Sequence, residues 1–248
     1  MVQPPAAAQR MYDYSTSAKA VAIAMSPKAP YILAAEQVAG ATLPLLTALA
    51  DKSLMRRTES GRYDLHELVR QYAHEQLIRS GDLDDARDQH LMFFLKFAEE
   101  TESKLRDAEQ LSWLDRLEQD HDNLRAALDW SLKNNEPAAT ISQSSLRLAS
   151  TLYLFWKRRD HWSEGREWLQ RALAQSARLP VTREYVKALN AAVLLAVEQA
   201  DTRLAHQLAE ENLALSRKMG GGYNLSCALS FLGLGIQPMS RIEEIEVV

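Results

Sequence analysis

The sequence contains little glycine, one cysteine and no long apolar run, and each shortage excludes a class of protein. Only 9 of its 248 residues are glycine, and none belongs to the Gly-x-x-x-x-Gly-Lys-Ser/Thr loop that cradles nucleotide phosphates. The chain alone is therefore not expected to be an enzyme that hydrolyses ATP. The single cysteine, Cys227, cannot form an internal disulfide. Apolar runs stay short of the roughly 20 residues that cross a bilayer, so no membrane partner is expected.

The composition predicts a globular, mainly helical protein. Hydrophobic residues make up 46% of the chain, which is the range of folded domains. The first residues lack the cationic start and apolar core of a secretory signal, so we expect a cytoplasmic location. A net charge of -4 argues against a general nucleic-acid surface.

A helix start near residue 64 holds the first candidate functional residue. Asp64 followed by Glu67 forms a capping-box pattern, which predicts an N-cap at Asp64 and a helix from Leu65. His66 falls in the first turn and outside the apolar face, which carries Leu65, Leu68, Val69, Tyr72, Ala73 and Leu77. Unpaired backbone amides there attract anions, so His66 is a candidate phosphate contact. The alternative is an exposed histidine without a function.

The residues before this helix predict a short β-hairpin. Leu45, Leu46 and Leu49 form one side of a preceding helix. Residues 53–57 and 62–63 then have strand character around a turn that ends at Gly61. The order helix, hairpin, helix is that of a winged-helix domain. Its hairpin holds a local basic cluster, which is the candidate DNA contact: Lys52, Arg56, Arg57 and Arg62.

The segment Leu65-His66-Glu67-Leu68-Val69-Arg70 resembles the "MHD" motif of signal-transducing NB-ARC (STAND) ATPases. In that family the motif opens the last helix of the winged-helix subdomain, and its histidine contacts the β-phosphate of bound ADP. The resemblance implies that role for His66. Leu65 stands where the family has methionine, and Glu67 stands where it has aspartate.

The rest of the chain resembles bacterial members of the family that continue into tetratricopeptide-like (TPR-like) helical repeats. The resemblance covers roughly residues 32 to 235, and three segments carry it: 113–118 (Trp-Leu-Asp-Arg-Leu-Glu), 121–128 (His-Asp-Asn-Leu-Arg-Ala-Ala-Leu) and 164–169 (Glu-Gly-Arg-Glu-Trp-Leu). It implies that the repeats bind a protein, peptide or ligand and control nucleotide exchange, often to regulate transcription. A partner with a nucleotide-binding domain would supply the ADP or ATP, since this chain has no cofactor of its own.

The residues themselves also predict a repeat. Residues 146–157 and 188–198 occupy matching first-helix positions, while residues 168–176 and 208–216 occupy matching second-helix positions. The period of about forty residues is typical of helical solenoids. Small residues are expected where the helices pack closely: Ala172, Ala188, Ala205, Ala209 and Ala228. A third first helix is predicted at residues 227–235.

The predicted architecture is mainly α: a partial winged helix with a small β-hairpin, followed by a TPR-like α-solenoid of antiparallel helix pairs. The expected divisions are an irregular lead (1–31), a partial winged-helix domain (32–80), a helical linker pair (84–135), TPR-like repeats (138–235) and a tail (236–248). The irregular ends lead us to expect a truncated start or a fragment of a larger ATPase.

No metal site or catalytic residue is expected. His66-Glu67 and His74-Glu75 both lack the second histidine, four residues after the first, of a zinc-protease motif. Asp122 is expected to cap the helix that runs through Leu128. The five tryptophans stand at helical spacing beside leucines, which favours core positions. One exception is a candidate ligand face of the solenoid, formed by Trp156, Arg158, Arg159 and Trp162. The alternative is that these residues form an ordinary solvated helix end.

Three hypotheses follow from the sequence. The first is a regulatory module of a signal-transducing ATPase, in which the repeats sense a partner and the winged helix relays the signal. The second is a stand-alone interaction scaffold in which His66 has no function. The third is a DNA-binding regulator that uses the basic hairpin.

Overall fold

The computed structural model describes residues 43–57, 63–65, 67–133, 143–177 and 179–219. These residues are mostly helical and divide into two compact units. Unit 1 includes the chain through Phe97 together with Asp115–Trp130, and unit 2 includes Ala98–Leu114 together with the chain from Ser131. None of the described helices is long and apolar enough to cross a membrane.

A helix and a two-stranded sheet come first among the described residues of unit 1. Helix α1 (Leu43–Asp51) precedes β1 (Met55–Arg57) and β2 (Tyr63–Leu65). The strands pair antiparallel, with Met55 opposite Leu65 and Arg57 opposite Tyr63. Two paired strands are therefore present where the sequence predicted them, but β2 extends two residues further. The identity of this region as a winged helix stays a prediction.

The predicted helix start at Asp64 was wrong. Asp64 lies in β2 opposite Arg56, and the next helix, α2, spans Glu67–Ser80. The strand therefore continues through the position that the capping-box pattern assigned to the N-cap. The predicted apolar face of α2 is also only partly buried: Leu77 is fully buried, whereas Leu68 is 68% exposed and Tyr72 is 60% exposed.

Three helices follow where the sequence predicted a helical linker pair (84–135). Helix α3 spans Leu83–Lys104, α4 spans Gln110–Gln119 and α5 spans His121–Lys133. The predicted cap at Asp122 was wrong, because Asp122 lies inside α5 and pairs with Arg125 (Nη1 to Oδ1, 3.1 Å). Asp120 precedes the helix instead, and its carboxylate accepts a hydrogen bond from the Asn123 side chain at 2.9 Å.

Residues 143–219 of unit 2, as far as they are described, form two helix pairs. The first helix of the first pair is broken at Leu152 into α6 (Ser144–Thr151) and α7 (Tyr153–Arg158), and its partner is α8 (Trp162–Ser176). The second pair consists of α9 (Arg183–Glu198) and α10 (Thr202–Met219). Helix α9 packs against α6, α8 and α10, so it joins the two pairs. The predicted helical regions are confirmed here, whereas residues 227–235 lie outside the described residues.

Both helix pairs turn in the same way. Asp160 (φ 59°) and Ala200 (φ 56°) have left-handed backbones and lie forty residues apart. The next residue after each donates its amide to the carbonyl oxygen five residues back: His161 to Trp156 and Asp201 to Ala196, both at 2.9 Å. This is the Schellman arrangement that ends a helix. The equal spacing supports the predicted forty-residue register.

Small side chains lie at the helix contacts of unit 2. Ala172, Ala188, Ala205 and Ala209 are buried to 1% exposure or less, as the sequence predicted. Small residues allow two helix backbones to approach closely, which is what stacked helix pairs require. Ala228, the fifth residue of that prediction, lies outside the described residues.

Candidate functional site

The candidate phosphate contact, His66, lies outside the described residues, as does Arg62. Lys52 and Arg56 of the basic cluster are exposed. Arg57 ends β1, but its side chain is not described. Two of the four cations therefore have exposed positions, and a DNA contact by the cluster stays a prediction.

Trp156 belongs to the core and not to a ligand face. Its side chain is only 1% exposed, so a ligand at the surface could not stack on it. It packs over Gly165 of α8: a Cβ added to Gly165 would lie 2.5 Å from Trp156 Cε3 and 2.9 Å from Leu195 Cδ1. The indole therefore fills the space that a side chain would need, which lets α7 and α8 approach each other.

The other three residues of the candidate ligand face have separate surroundings. Arg158 is exposed, whereas Arg159 and Trp162 are half-buried. Trp162 Nε1 donates to the backbone oxygen of Lys157 at 3.0 Å, so the indole fixes the turn between α7 and α8. That contact gives Trp162 a structural role in the turn, so a ligand is not needed to explain a tryptophan at this position.

Polar contacts join the two helix pairs near this turn. Arg166 of α8 binds two residues that follow the C-terminal end of α9. These are Asp201 (Nη2 to Oδ2, 3.0 Å) and Gln199 (Nη1 to Oε1, 3.0 Å). Lys157 of α7 forms an ion pair with Glu198 of α9. These cations are held by the neighbouring pair, which fixes the stacking of one pair on the next.

A second charged group lies on the first helices, and sequence reasoning missed it. Arg147 of α6 forms a two-pronged ion pair with Glu99 of α3: Nε and Nη2 each donate to one carboxylate oxygen at 2.9 Å. Paired donors on a planar guanidinium give strong, geometrically specific contacts. The Arg147 side chain is 32% exposed, so the pair is accessible to solvent.

Lys187 of α9 makes the corresponding contact one helix pair later. Its ammonium donates to Glu102 at 2.7 Å and to the Thr151 hydroxyl of α6 at 3.4 Å. The side chain is 42% exposed. Arg147 and Lys187 lie forty residues apart, and each is held by one of two glutamates on the last turns of α3, within unit 2.

We name these four residues the cation ladder: Arg147 and Lys187 with Glu99 and Glu102. Half-buried Leu154 of α7 and Leu194 of α9 stand seven residues after Arg147 and Lys187, respectively. The signal in the sequence was a cation at the same repeat position twice, followed each time by leucine. The carboxylate partners could not be identified from the spacing, because α3 lies outside the predicted repeat.

The surroundings of a tyrosine on α9 shift the pKa of its hydroxyl. Tyr185 donates to Glu211 Oε1 of α10 at 3.2 Å. Partial burial and the negative charge of Glu211 together raise the pKa of Tyr185, so its hydroxyl stays protonated and keeps donating. This contact adds a further link between α9 and α10.

Comparisons with known proteins give sequence relatives but no matching family model. Proteins provisionally named HTH-type transcriptional regulators, from Mycobacterium bovis and from two strains of Mycobacterium tuberculosis, are 32% identical over 201 residues. The match covers 77% of this chain and 22% of theirs, so the chain spans about a fifth of the length of these curated relatives.

One solved structure also aligns with the chain. It is the crystal structure of a STAND protein with a tetratricopeptide repeat sensor, from Pyrococcus horikoshii, and the alignment covers 92% of this chain and 48% of that chain. The identity is 10% and the TM-score is 0.33, a similarity too low to assign a function. Over most of its length, the chain is similar in sequence to one part of proteins named as transcriptional regulators.

Proposed function

We propose that this chain is the regulatory and sensor module of a signal-transducing ATPase that controls transcription. The observation that carries the proposal is the 32% identity over 201 residues to proteins named HTH-type transcriptional regulators. Because the match covers 22% of those proteins, the activity of a complete regulator of this kind would also require parts outside the matched residues. The MHD-like segment at residues 65–70 supports the ATPase part of the proposal.

The stacked helix pairs are the binding part of the module. Helices α6 to α10 repeat one unit, a pair of helices joined by a short turn. Repeated helix pairs offer an extended surface to proteins or peptides. The first helices carry half-exposed charged and apolar side chains, Arg147, Leu154, Lys187 and Leu194. This mixture suits a polypeptide partner, which supplies both charges and apolar side chains.

Hydrolysis of ATP is assigned to a separate P-loop domain. The sequence has no Gly-Lys-Ser/Thr loop, so its residues do not fit a nucleotide by themselves. The chemical step therefore belongs to the separate domain. In the proposal, that domain holds ADP and His66 contributes one phosphate contact. Loss of that contact should free the nucleotide.

The first test concerns the genomic DNA upstream of the Met1 codon. It should encode, in frame or in an adjacent gene, an apolar strand followed by Gly-x-x-x-x-Gly-Lys-Ser/Thr. Fluorescent ADP binding is then measured on that P-loop domain together with this chain. His66→Ala should weaken ADP binding at least tenfold, because a phosphate loses a donor in a site built for it.

His74→Ala is the matched control, because His74 lies on α2 outside the MHD-like segment and its substitution should leave ADP binding unchanged. A P-loop domain that binds ADP equally with and without His66 would contradict the relay role. It would leave the interaction scaffold as the remaining function of the helix pairs.

DNA binding by the hairpin is a second candidate, favoured by the exposed Lys52 and Arg56. It predicts that the chain binds duplex DNA, that binding weakens steeply as salt rises, and that Arg56→Ala with Arg57→Ala abolishes it. Binding that does not change in this double variant would remove the hairpin as a DNA contact.

A further inference from the structure

The two cations of the ladder occupy equivalent places in consecutive helix pairs. Arg147 on α6 and Lys187 on α9 are forty residues apart, the same interval that separates the turns at Asp160 and Ala200. Both remain partly open to solvent. A repeat-spaced pair of accessible cations is suited to hold two negative charges on one extended or helical partner.

The two anions that hold them stand on one short stretch of helix. Glu99 and Glu102 are three residues apart on α3, so their side chains leave the helix on the same side. One helical turn thus presents two carboxylates to two cations from different helix pairs. The spacing and charge of these two carboxylates match those of an acidic helical peptide.

The Lys187 contact also spans an intermediate helix. Glu102 and Lys187 are 85 residues apart, and Thr151 of α6 lies against the same ammonium. In stacked repeats each unit normally contacts only its neighbours. The link from α3 to α9 therefore joins α3 to the first helices of both pairs, α6 and α9, through one ammonium group.

We propose that Glu99 and Glu102 act as an internal substitute for an acidic partner and hold the two cations of the ladder, Arg147 and Lys187, in an inhibited state. The partner is a polypeptide with two carboxylates about one helical turn apart, and it displaces the Glu99 and Glu102 carboxylates from Arg147 and Lys187, while Ala98 and Thr101 beside them stay buried. The inference rests on the proposed binding role of the helix pairs. It adds the chemical class of the partner and the contact that the partner must break.

The reason for this partner is a balance of charge. Ion pairs with solvent-accessible side chains are individually weak, so a competing carboxylate can replace them at little cost. A neutral or basic partner would leave both cations unpaired when it displaced the glutamates. An acidic partner restores both pairs and adds its own apolar contacts beside Leu154 and Leu194.

The experiment uses a peptide of this chain's own sequence as the probe. A 22-residue synthetic peptide that spans Leu83–Lys104, all of α3, is added to the full chain and to a Glu99→Gln/Glu102→Gln variant. Binding is measured by fluorescence anisotropy. The variant should bind the peptide at least tenfold more tightly than the original chain, because its cations have lost their internal partners.

Two controls separate charge recognition from other binding. The same peptide with glutamine at both positions should show no preference for the variant. A Glu167→Gln/Glu210→Gln chain has the same net charge as the test variant, but neither substituted residue contacts the ladder. This control chain should bind the peptide like the original chain. Adding Arg147→Gln and Lys187→Gln to the test variant should abolish its binding of the peptide.

Equal binding of the peptide to the original chain and to the variant, or no binding to a folded variant, would overturn the proposal. If the double variant does not fold, Glu102→Gln alone is measured in the same way and should gain about threefold in affinity. Because the probe comes from this chain, the result does not depend on whether the module serves a transcriptional regulator. Failure of the ladder and failure of the proposed function are therefore distinguishable.

Discussion

At the residue scale, Gly165 and Trp156 show how one pair of side chains sets the distance between α7 and α8. The Trp156 indole occupies the space next to the Gly165 backbone, with Leu195 of α9 closing the same space. Both Trp156 and Leu195 are fully buried, so neither can move into solvent. A glycine inside a helix usually costs stability, and here close packing accounts for it.

Gly165→Ala should destabilise the chain by about 1–3 kcal/mol, because the added methyl group overlaps a buried indole. In an unhindered helix the same change would stabilise by about 1 kcal/mol. Chemical denaturation of the two proteins checks the sign. In a Trp156→Leu background the cost of Gly165→Ala should fall, and an equal cost in both backgrounds would exclude Trp156 as the obstacle.

A second residue-scale prediction concerns His90, buried in α3 of unit 1. Burial lowers the pKa of His90 to about 4, and its ring packs 4.6 Å from that of Phe94. Since the unfolded chain takes up this proton near pH 6.5 and the folded chain does not, stability is complete above pH 6.5 and falls between pH 6.5 and 4. The full loss from this group is roughly 3 kcal/mol.

His90→Gln removes that proton and should flatten the stability profile between pH 6.5 and 4 by roughly the same 3 kcal/mol. Urea unfolding at a series of pH values in both proteins isolates the histidine from the carboxylates, which titrate in both. Parallel profiles for the two proteins would show that His90 does not stay neutral in the folded chain.

At the element scale, four helix ends among the described residues share one backbone geometry. Ser53, Gly81, Asp160 and Ala200 all have positive φ, and the residue after each donates its amide five residues back. Only one of the four is glycine, the residue that adopts this conformation without strain. Sequence reading finds such ends mainly through glycine, so three of them gave no signal.

Ala200→Gly should stabilise the chain by about 1 kcal/mol, because Ala200 holds a left-handed backbone that costs a side chain roughly that amount. Ala174→Gly is the matched control, since Ala174 is exposed inside α8 and the same change should destabilise by about 1 kcal/mol. Thermal unfolding compares the two. A loss of stability in Ala200→Gly would contradict the strain assigned to this turn.

Helical periodicity predicted the helices of unit 2 well. Prediction from local patterns failed where contacts between residues distant in sequence determine the secondary structure. It placed α8, α9 and α10 because buried apolar positions recur at three- and four-residue steps along them. It placed the start of α2 at Leu65, whereas pairing with β1 keeps Asp64 and Leu65 in a strand. The capping-box pattern is local and contains no information about the partner strand.

The candidate sites were predictable to a smaller extent than the helices. A tryptophan beside two arginines looked like a ligand face, but Trp156 faces Gly165 in the core. The cation ladder depends on contacts between residues 48 and 85 positions apart, which repeat spacing alone does not reveal. Charges that repeat with the helix register are a signal that can be searched for in advance.

At the scale of the whole molecule, the two helix pairs of unit 2 are joined by polar contacts on two sides. Arg166 and Lys157 bind the end of α9, while the cation ladder ties α3 to α6 and α9. Contacts of this kind specify one stacking arrangement even where each is weak. A partner that breaks the ladder leaves the contacts near Arg166 in place, so the helix pairs stay stacked while Arg147 and Lys187 are released from Glu99 and Glu102.

The measurement that tests the central claim most directly is the set of transcripts in the source organism. Cells in which the codons for residues 143–219 are deleted from the chromosome are compared with the parent strain. The account predicts that a small, defined group of transcripts changes and that the parent gene restores it. Unchanged transcripts, with the helix pairs still binding a protein partner in the parent strain, would contradict the regulatory role and leave an interaction scaffold.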